Sequence, residues 1–173
     1  MMRRAALTII VLTVAGMVLF AGCQHYTFTP NLPAYIKKIA VPIFDNKTFK
    51  YGLESDLTRI IIDEFITDGH LEIVSEADAD AVLRGTISYY KLEPISFDAS
   101  EVVTEYHLTV SLRLEFEDMT SKEVLWEEPN IYEYVNYFPL GTGGIPETEQ
   151  DAFERLAEVL AQDVVRRTVE GWW

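Results

Sequence analysis

The chain has 173 residues, 49% of them hydrophobic, with 14 basic against 28 acidic side chains and a formal net charge of −14. So acidic a balance excludes general nucleic-acid binding and adsorption to anionic lipid by charge alone. A single cysteine excludes a disulfide framework and a cysteine-ligated zinc site.

Arg3 and Arg4 precede an apolar run over residues 5–20, and Ala21-Gly22-Cys23 closes it. This is the layout of a secretory signal, too short and too weakly flanked for a good transmembrane helix. Small residues running directly into cysteine resemble a bacterial lipoprotein signal. Phe20 stands where that signal most often has Leu. The resemblance implies that residues 1–22 are removed and that Cys23 is lipidated and becomes the N-terminus. Several acyl chains, at ~0.8 kcal/mol per buried methylene, would hold the protein firmly. Gln24 follows, with no Asp there to suggest retention in the inner membrane. By resemblance to sorted lipoproteins, the expected location is the periplasmic side of the outer membrane.

Residues 23–35 read as a lipidated tether, with Pro30 and Pro33 among Thr and Asn. Residues 36–173 are long enough for one domain with one core. Residues 36–44 are β-rich, and Pro42 places them at an edge or a strand end; residues 45–48 read as a turn. Leu53, Leu57, Ile60, Ile61 and Phe65 fall on one face of a helix over residues 53–67, stopped by Asp68-Gly69. Residues 71–74 suggest a short strand. From Ala81 the period becomes two, Leu83, Gly85, Ile87 and Tyr89 alternating with polar neighbours. A Pro94-containing loop over residues 92–104 is expected next. Tyr106, Leu108, Val110, Leu112, Leu114 and Phe116 then define one face of a long strand whose other face is polar. Residues 118–121 turn the chain, and residues 123–135 return as a strand interrupted at Pro129. After a loop rich in Gly and Pro, Thr148 caps a second helix with Asp151 three residues on, striped by Phe153, Leu156, Leu160 and Val164. These elements predict a two-layer α+β sandwich: two helices packed on one face of a mostly antiparallel four- to five-stranded sheet.

Enzyme signatures are missing. There is no Gly-x-Ser-x-Gly and no His-Glu-x-x-His, and Gly141-Thr-Gly-Gly lacks the Lys-Ser/Thr of a phosphate loop. His25, His70 and His107 are scattered, and no metal or cofactor is implied. Asp78/Asp80 and Asp98/Glu101/Glu105 are acid clusters that a solvated loop explains better than a hydrolase. Lys37, Lys38, Lys47 and Lys50 form the one basic island, readable as an edge-strand charge pattern or as a phosphate contact. Tyr132, Tyr134, Tyr137 and Phe138 cluster near the end of the last strand as a candidate contact surface.

Three stretches together carry a resemblance. They are Ile-Ala-Val-Pro-Ile-Phe-Asp-Asn-Lys-Thr-Phe from Ile39 with Gly-Leu-Glu-Ser-Asp-Leu-Thr from Gly52, Ala-Asp-Ala-Val-Leu-Arg-Gly-Thr-Ile from Ala79, and Glu-Tyr-His-Leu-Thr-Val from Glu105 with Val-Leu-Trp-Glu from Val124. Behind a lipoprotein cysteine, they resemble the lipopolysaccharide-assembly lipoprotein family, LptE. The resemblance implies a non-enzymatic plug inside a large outer-membrane β-barrel, the lipopolysaccharide translocon, where it supports barrel assembly and delivery of lipopolysaccharide to the surface. A polar strand face suits a polar barrel lumen. Other periplasmic lipoproteins share the Ala-Asp-x-x-Leu-x-Gly start of a strand, so an activator of a peptidoglycan synthase or a secretion-pore component stays open as an alternative. In the resembled family the loop before the long strand is expected to contact lipopolysaccharide. Here that loop lacks Lys and Arg, so Phe97, Tyr137 and Phe138 are the expected contacts to barrel or acyl chain, and the four lysines are left for phosphate.

Overall fold

The computed structural model describes residues 32–142 and 144–171. The signal, Cys23 and most of the tether lie outside them. Among the described residues no helix is long and apolar enough to cross a membrane.

The order is β1 (Lys38–Ala40), β2 (Asp45–Asn46), α1 (Leu53–Asp68), β3 (Glu72–Ile73), β4 (Ala81–Phe97), β5 (Val103–Asp118), β6 (Val124–Tyr137) and α2 (Glu149–Glu170). The sheet has six strands in the order β3-β1-β4-β5-β6, with β2 beside β4. The α+β sandwich is as expected, but the sheet is mixed. β4, β5 and β6 are antiparallel, whereas β1 runs parallel to β3 and β4, and β2 parallel to β4. The extra strand is Asp45–Asn46, expected to be a turn. It pairs with Thr86 and Ile87, so its structure comes from a partner forty residues away rather than from its own sequence.

Both helices form as their stripes dictate. Leu57, Ile61 and Phe65 of α1 and Phe153, Leu156, Leu160 and Val164 of α2 are buried, each contributing about 2 kcal/mol by removal from water. Ala157 and Ala161, also fully buried, keep α2 thin on its packed side. The helices pack on each other, with α2 over β5 and β6. At the end of α1, Gly69 takes the left-handed conformation (φ 73°) and its N–H bonds Phe65 O at 3.0 Å. At the start of α2, Thr148 Oγ1 accepts from Asp151 N–H at 3.1 Å while Asp151 Oδ2 accepts from Thr148 N–H at 3.0 Å, a reciprocal capping box.

β4 departs most from its sequence reading. It does not stop at Leu92 but continues through Pro94 to Phe97, paired with β5 along its length with register shifts after Ile87, Pro94 and Ser96. The connection to β5 is correspondingly short. The alternation also breaks. Ile87 pairs with Leu112 and Tyr89 with Ser111, so Ser88 is an inserted residue. Beyond it the faces exchange: Tyr90, opposite the buried Val110, turns towards the core and Tyr89 lies outside. Gly85 has its own reason. A Cβ there would lie 2.3 Å from the Phe44 ring, which covers the strand at this point.

Candidate interaction surfaces

The two helices cover one face of the sheet and leave the other open. Three cross-strand rows cross the open face, Tyr89/Ser111/Tyr132, Lys91/Thr109/Tyr134 and Glu93/His107/Asn136. Tyr89, Tyr132 and Tyr134 are exposed, and they flank small residues on the central strand. His107 Nδ1–H donates to Asn136 Oδ1 at 2.7 Å, and Asn136 Nδ2 donates to Glu105 Oε1 at 3.0 Å. The His107 ring lies 4.9 Å from that of Tyr134. The result is a polar, aromatic surface tied across its strands by side-chain hydrogen bonds.

At one end the β4–β5 hairpin runs past the rest of the sheet. β6 stops where Tyr137 meets Tyr106, but β4 and β5 stay paired as far as Phe97 and Val103. That is an overhang of about 10 Å. Its turn is built by Asp98, whose Oδ1 accepts from the N–H groups of Ser100 (2.7 Å) and Val102 (3.0 Å). Ile95, Phe97 and Val102 are exposed on it, Phe97 to 56%. The nearest base, Lys91, is engaged with Glu93 at 2.6 Å. The tip is therefore apolar and acidic, and it carries no Lys or Arg.

The other predicted contacts divide. Tyr137 is only 4% exposed and stacks on Tyr106 with ring centroids 5.4 Å apart, so it supports the hairpin from the core side. Phe138 is half-buried, and a Cβ on Gly144 would lie 2.3 Å from its ring. The following loop is tied down by Arg155, which donates to Glu147 Oε1 (3.0 Å) and Oε2 (2.7 Å) and to Asn136 O (3.1 Å). Glu147 holds the Arg155 guanidinium still more firmly protonated, against the opposing effect of burial. Leu140 and Ile145 are exposed on this loop. It leaves the sheet at the same end as the hairpin tip, opposite the turn after Asp118, as antiparallel order requires.

The four lysines do not form one island. Lys37 and Lys38 sit at the start of β1, where their N–H groups both donate to Asp80 Oδ2 at 2.9 Å. Lys47 and Lys50 lie beside Ile87 and Tyr90, about 20 Å further along β4. Lys50 Nζ meets Glu149 Oε1 at 2.6 Å, and the Tyr90 hydroxyl donates to the same oxygen at 2.6 Å. Burial pushes the Glu149 carboxyl up, but these two partners outweigh it and hold it below the usual range. Burial and Glu149 together push the Tyr90 hydroxyl well up, so both groups keep their ordinary ionisation at neutral pH.

The acid clusters have structural work. Asp78 Oδ2 accepts from Ser75 Oγ at 2.7 Å, Asp80 caps the start of β1, and Asp98 builds its turn. Among the described residues no group of His, Cys, Asp and Glu is arranged to hold a metal. Sequence reasoning missed Phe49 and Tyr51, both almost fully in solvent. The available signal was a pair of aromatics in a polar turn with no apolar stripe to join.

The family model for lipopolysaccharide assembly, LptE, matches residues 36–168. The chain belongs to the LptE family. No curated protein sequence matches it. Among solved structures, the LptE fold seen here is similar to that of a minor lipoprotein from Acinetobacter baumannii (19% identity, TM-score 0.50, covering 79% of this chain and 92% of that one). It is also similar to the PelC dodecamer from Paraburkholderia phytofirmans (16%, TM-score 0.52, 84% and 96%) and to lipoprotein B from Nitrosomonas europaea (15%, TM-score 0.50, 80% and 84%). At these identities the likeness is one of fold.

Proposed function

We propose that this LptE-family chain is a non-enzymatic, lipid-anchored subunit of the lipopolysaccharide translocon. Cys23 carries the anchor on the periplasmic side of the outer membrane. The domain plugs a large β-barrel partner and assists its assembly and the delivery of lipopolysaccharide to the cell surface. The observation that carries this reading is the open face of β4, β5 and β6, broad, polar and aromatic, left uncovered by both helices. A wet, polar barrel lumen is a matching environment for it. The hairpin tip, with Phe97, meets the barrel or the acyl part of lipopolysaccharide. Phe138 and the exposed Leu140 and Ile145 flank that contact, with Tyr137 beneath. Of the four lysines, Lys37 and Lys38 are left to meet phosphate; Lys50 is engaged by Glu149 and Lys47 lies beside Asp45.

A second reading, a lipoprotein of a multi-subunit secretion pore, is favoured by the fold likeness to the PelC dodecamer. Activation of a peptidoglycan synthase is the other alternative to the translocon. Gentle detergent purification from the native membrane separates them. A complex of the lipoprotein with one large β-barrel supports the translocon reading. A ring of copies of this chain, or a bound peptidoglycan synthase, refutes it.

A further inference from the structure

β4 is partnered unevenly. On its outer side β1 covers Ala81 and Val82, and β2 covers Thr86 and Ile87. The last bond is from Lys47 N–H to Ile87 O at 3.0 Å. From Ser88 to Phe97 no described residue pairs with that side. Pro94 is in register with Tyr106 of β5, and a proline fits a paired strand only where its nitrogen faces away from the neighbour. Alternation then turns the backbone groups of Tyr90 and Leu92 to the same free side. The Ser88 insertion and Pro94 thus bracket a short window of unpaired N–H and C=O groups, a template for another strand.

A groove of about 460 Å³ lies beside this window, between residues 47–50 and residues 88–90. Its outer wall is rigid. Asn46 Oδ1 accepts from the Thr48 N–H (2.9 Å) and hydroxyl (2.8 Å), while Asn46 Nδ2 donates to Lys50 O (2.7 Å) and Glu54 Oε2 (2.8 Å). This fixed turn holds Phe49 wholly in solvent. Beside it, Lys47 has Asp45 at 3.7 Å, a pair whose side chains are 66% and 71% exposed, so its charge is available to a partner.

We propose that the window and groove form a strand-addition site for an extended segment of a partner polypeptide. The segment extends the line of β2 along β4, bonding the free backbone of Tyr90 and Leu92. It places an apolar side chain against Phe49 and Tyr89 and a carboxylate near Lys47. Charge complementarity favours that acid: the charged side chains lining the groove are both lysines, and of these Lys50 is already paired with Glu149. The Ser88 insertion and Pro94 limit the added strand to a few residues, which makes the pairing selective and keeps the edge from joining arbitrary strands. The site stands whether or not the open face sits in a barrel.

The test is to pan a phage library of random eight-residue peptides against the full chain in detergent, then bind a synthetic copy of the enriched sequence. The expected peptides alternate apolar and polar residues with an Asp or Glu, and perturb amide signals at residues 47–50 and 88–93. Phe49→Ala and Lys47→Glu, both exposed and so harmless to folding, should each weaken binding about tenfold. N-methylation of the peptide edge that faces β4 should abolish it. The proposal is overturned by no enrichment, by the same peptides emerging on the Phe49→Ala chain, or by signals moving on β6 instead. Self-association of the chain that Phe49→Ala removes would also overturn it, by naming a second copy as the occupant.

Discussion

The Tyr90 hydroxyl donates to Glu149 Oε1 at 2.6 Å and so ties the middle of β4 to the first turn of α2. The bond exists because Tyr90 lies opposite the buried Val110 and faces inward. Lys50 holds the same oxygen, so one carboxylate joins strand, loop and helix. Tyr90→Phe should lower stability by about 1–1.5 kcal/mol, the usual net worth of such a bond, measured by urea unfolding. An unchanged midpoint would show that the contact adds nothing.

The Ser88 insertion is a register device. Deleting Ser88 should make Ile87/Leu112 and Tyr89/Ser111 consecutive pairs, so Tyr90 stays inward with its Glu149 bond. One alanine added between Tyr89 and Tyr90 should instead turn Tyr90 outward and set the later β4 side chains on the wrong face. The added alanine should cost several kcal/mol and rearrange the amide spectrum of the β4–β5 hairpin, and the deletion should cost far less. Ser88→Ala removes only the weak bond from its hydroxyl to Ser111 O at 3.2 Å and should cost less than about 1 kcal/mol. Equal losses from the added alanine and from Ser88→Ala would mean that the side chain matters rather than the spacing.

Gly85→Ala should be damaging because its Cβ would meet the Phe44 ring at 2.3 Å. A loss of about 1–3 kcal/mol is expected from this overpacking. Adding Phe44→Leu should cost less in the Gly85→Ala background than in the native one. Additive losses in a double-mutant cycle would remove the proposed contact.

The start of the described domain is fastened by the Tyr35 hydroxyl, which donates to Asp118 Oδ2. Tyr35 first, with the N–H groups of Thr120 and Ser121, holds the Asp118 carboxyl below its ordinary value of 3.8, against the opposing push of burial. A folded value below the unfolded one means that ionised Asp118 stabilises the fold fully above the unfolded value. That contribution is lost as pH falls through the folded value. The stability gap between the native chain and Tyr35→Phe should therefore be constant above about pH 5 and narrow below about pH 4. A gap that widens as pH falls would reverse the assignment.

Much of this fold is written locally. The Gly69 stop, the Thr148–Asp151 capping box and the unbroken alternation from Tyr106 to Phe116 each depend on neighbours a few residues away, and each appears where its pattern puts it. β2, the run through Pro94 and the face exchange at Ser88 depend on a partner strand, and single-chain periodicity does not contain them. The surfaces divide in the same way. A polar strand face opposite a buried one was readable in β5. The burial of Tyr137 depends on Tyr106 and the helices, the separation of the lysine pairs on how β1 and β2 lie along β4, and the exposure of Phe49 on the Asn46 turn.

The translocon reading is tested most directly by photo-crosslinking in living cells. A benzophenone amino acid is placed at Phe97 on the hairpin tip, at Tyr134 on the open face, or at Met119 in the turn at the opposite end. Phe97 and Tyr134 should each give an adduct with one large outer-membrane β-barrel protein, and Met119 should give none. Adducts from Met119 alone, or adducts only between copies of this chain, would contradict it.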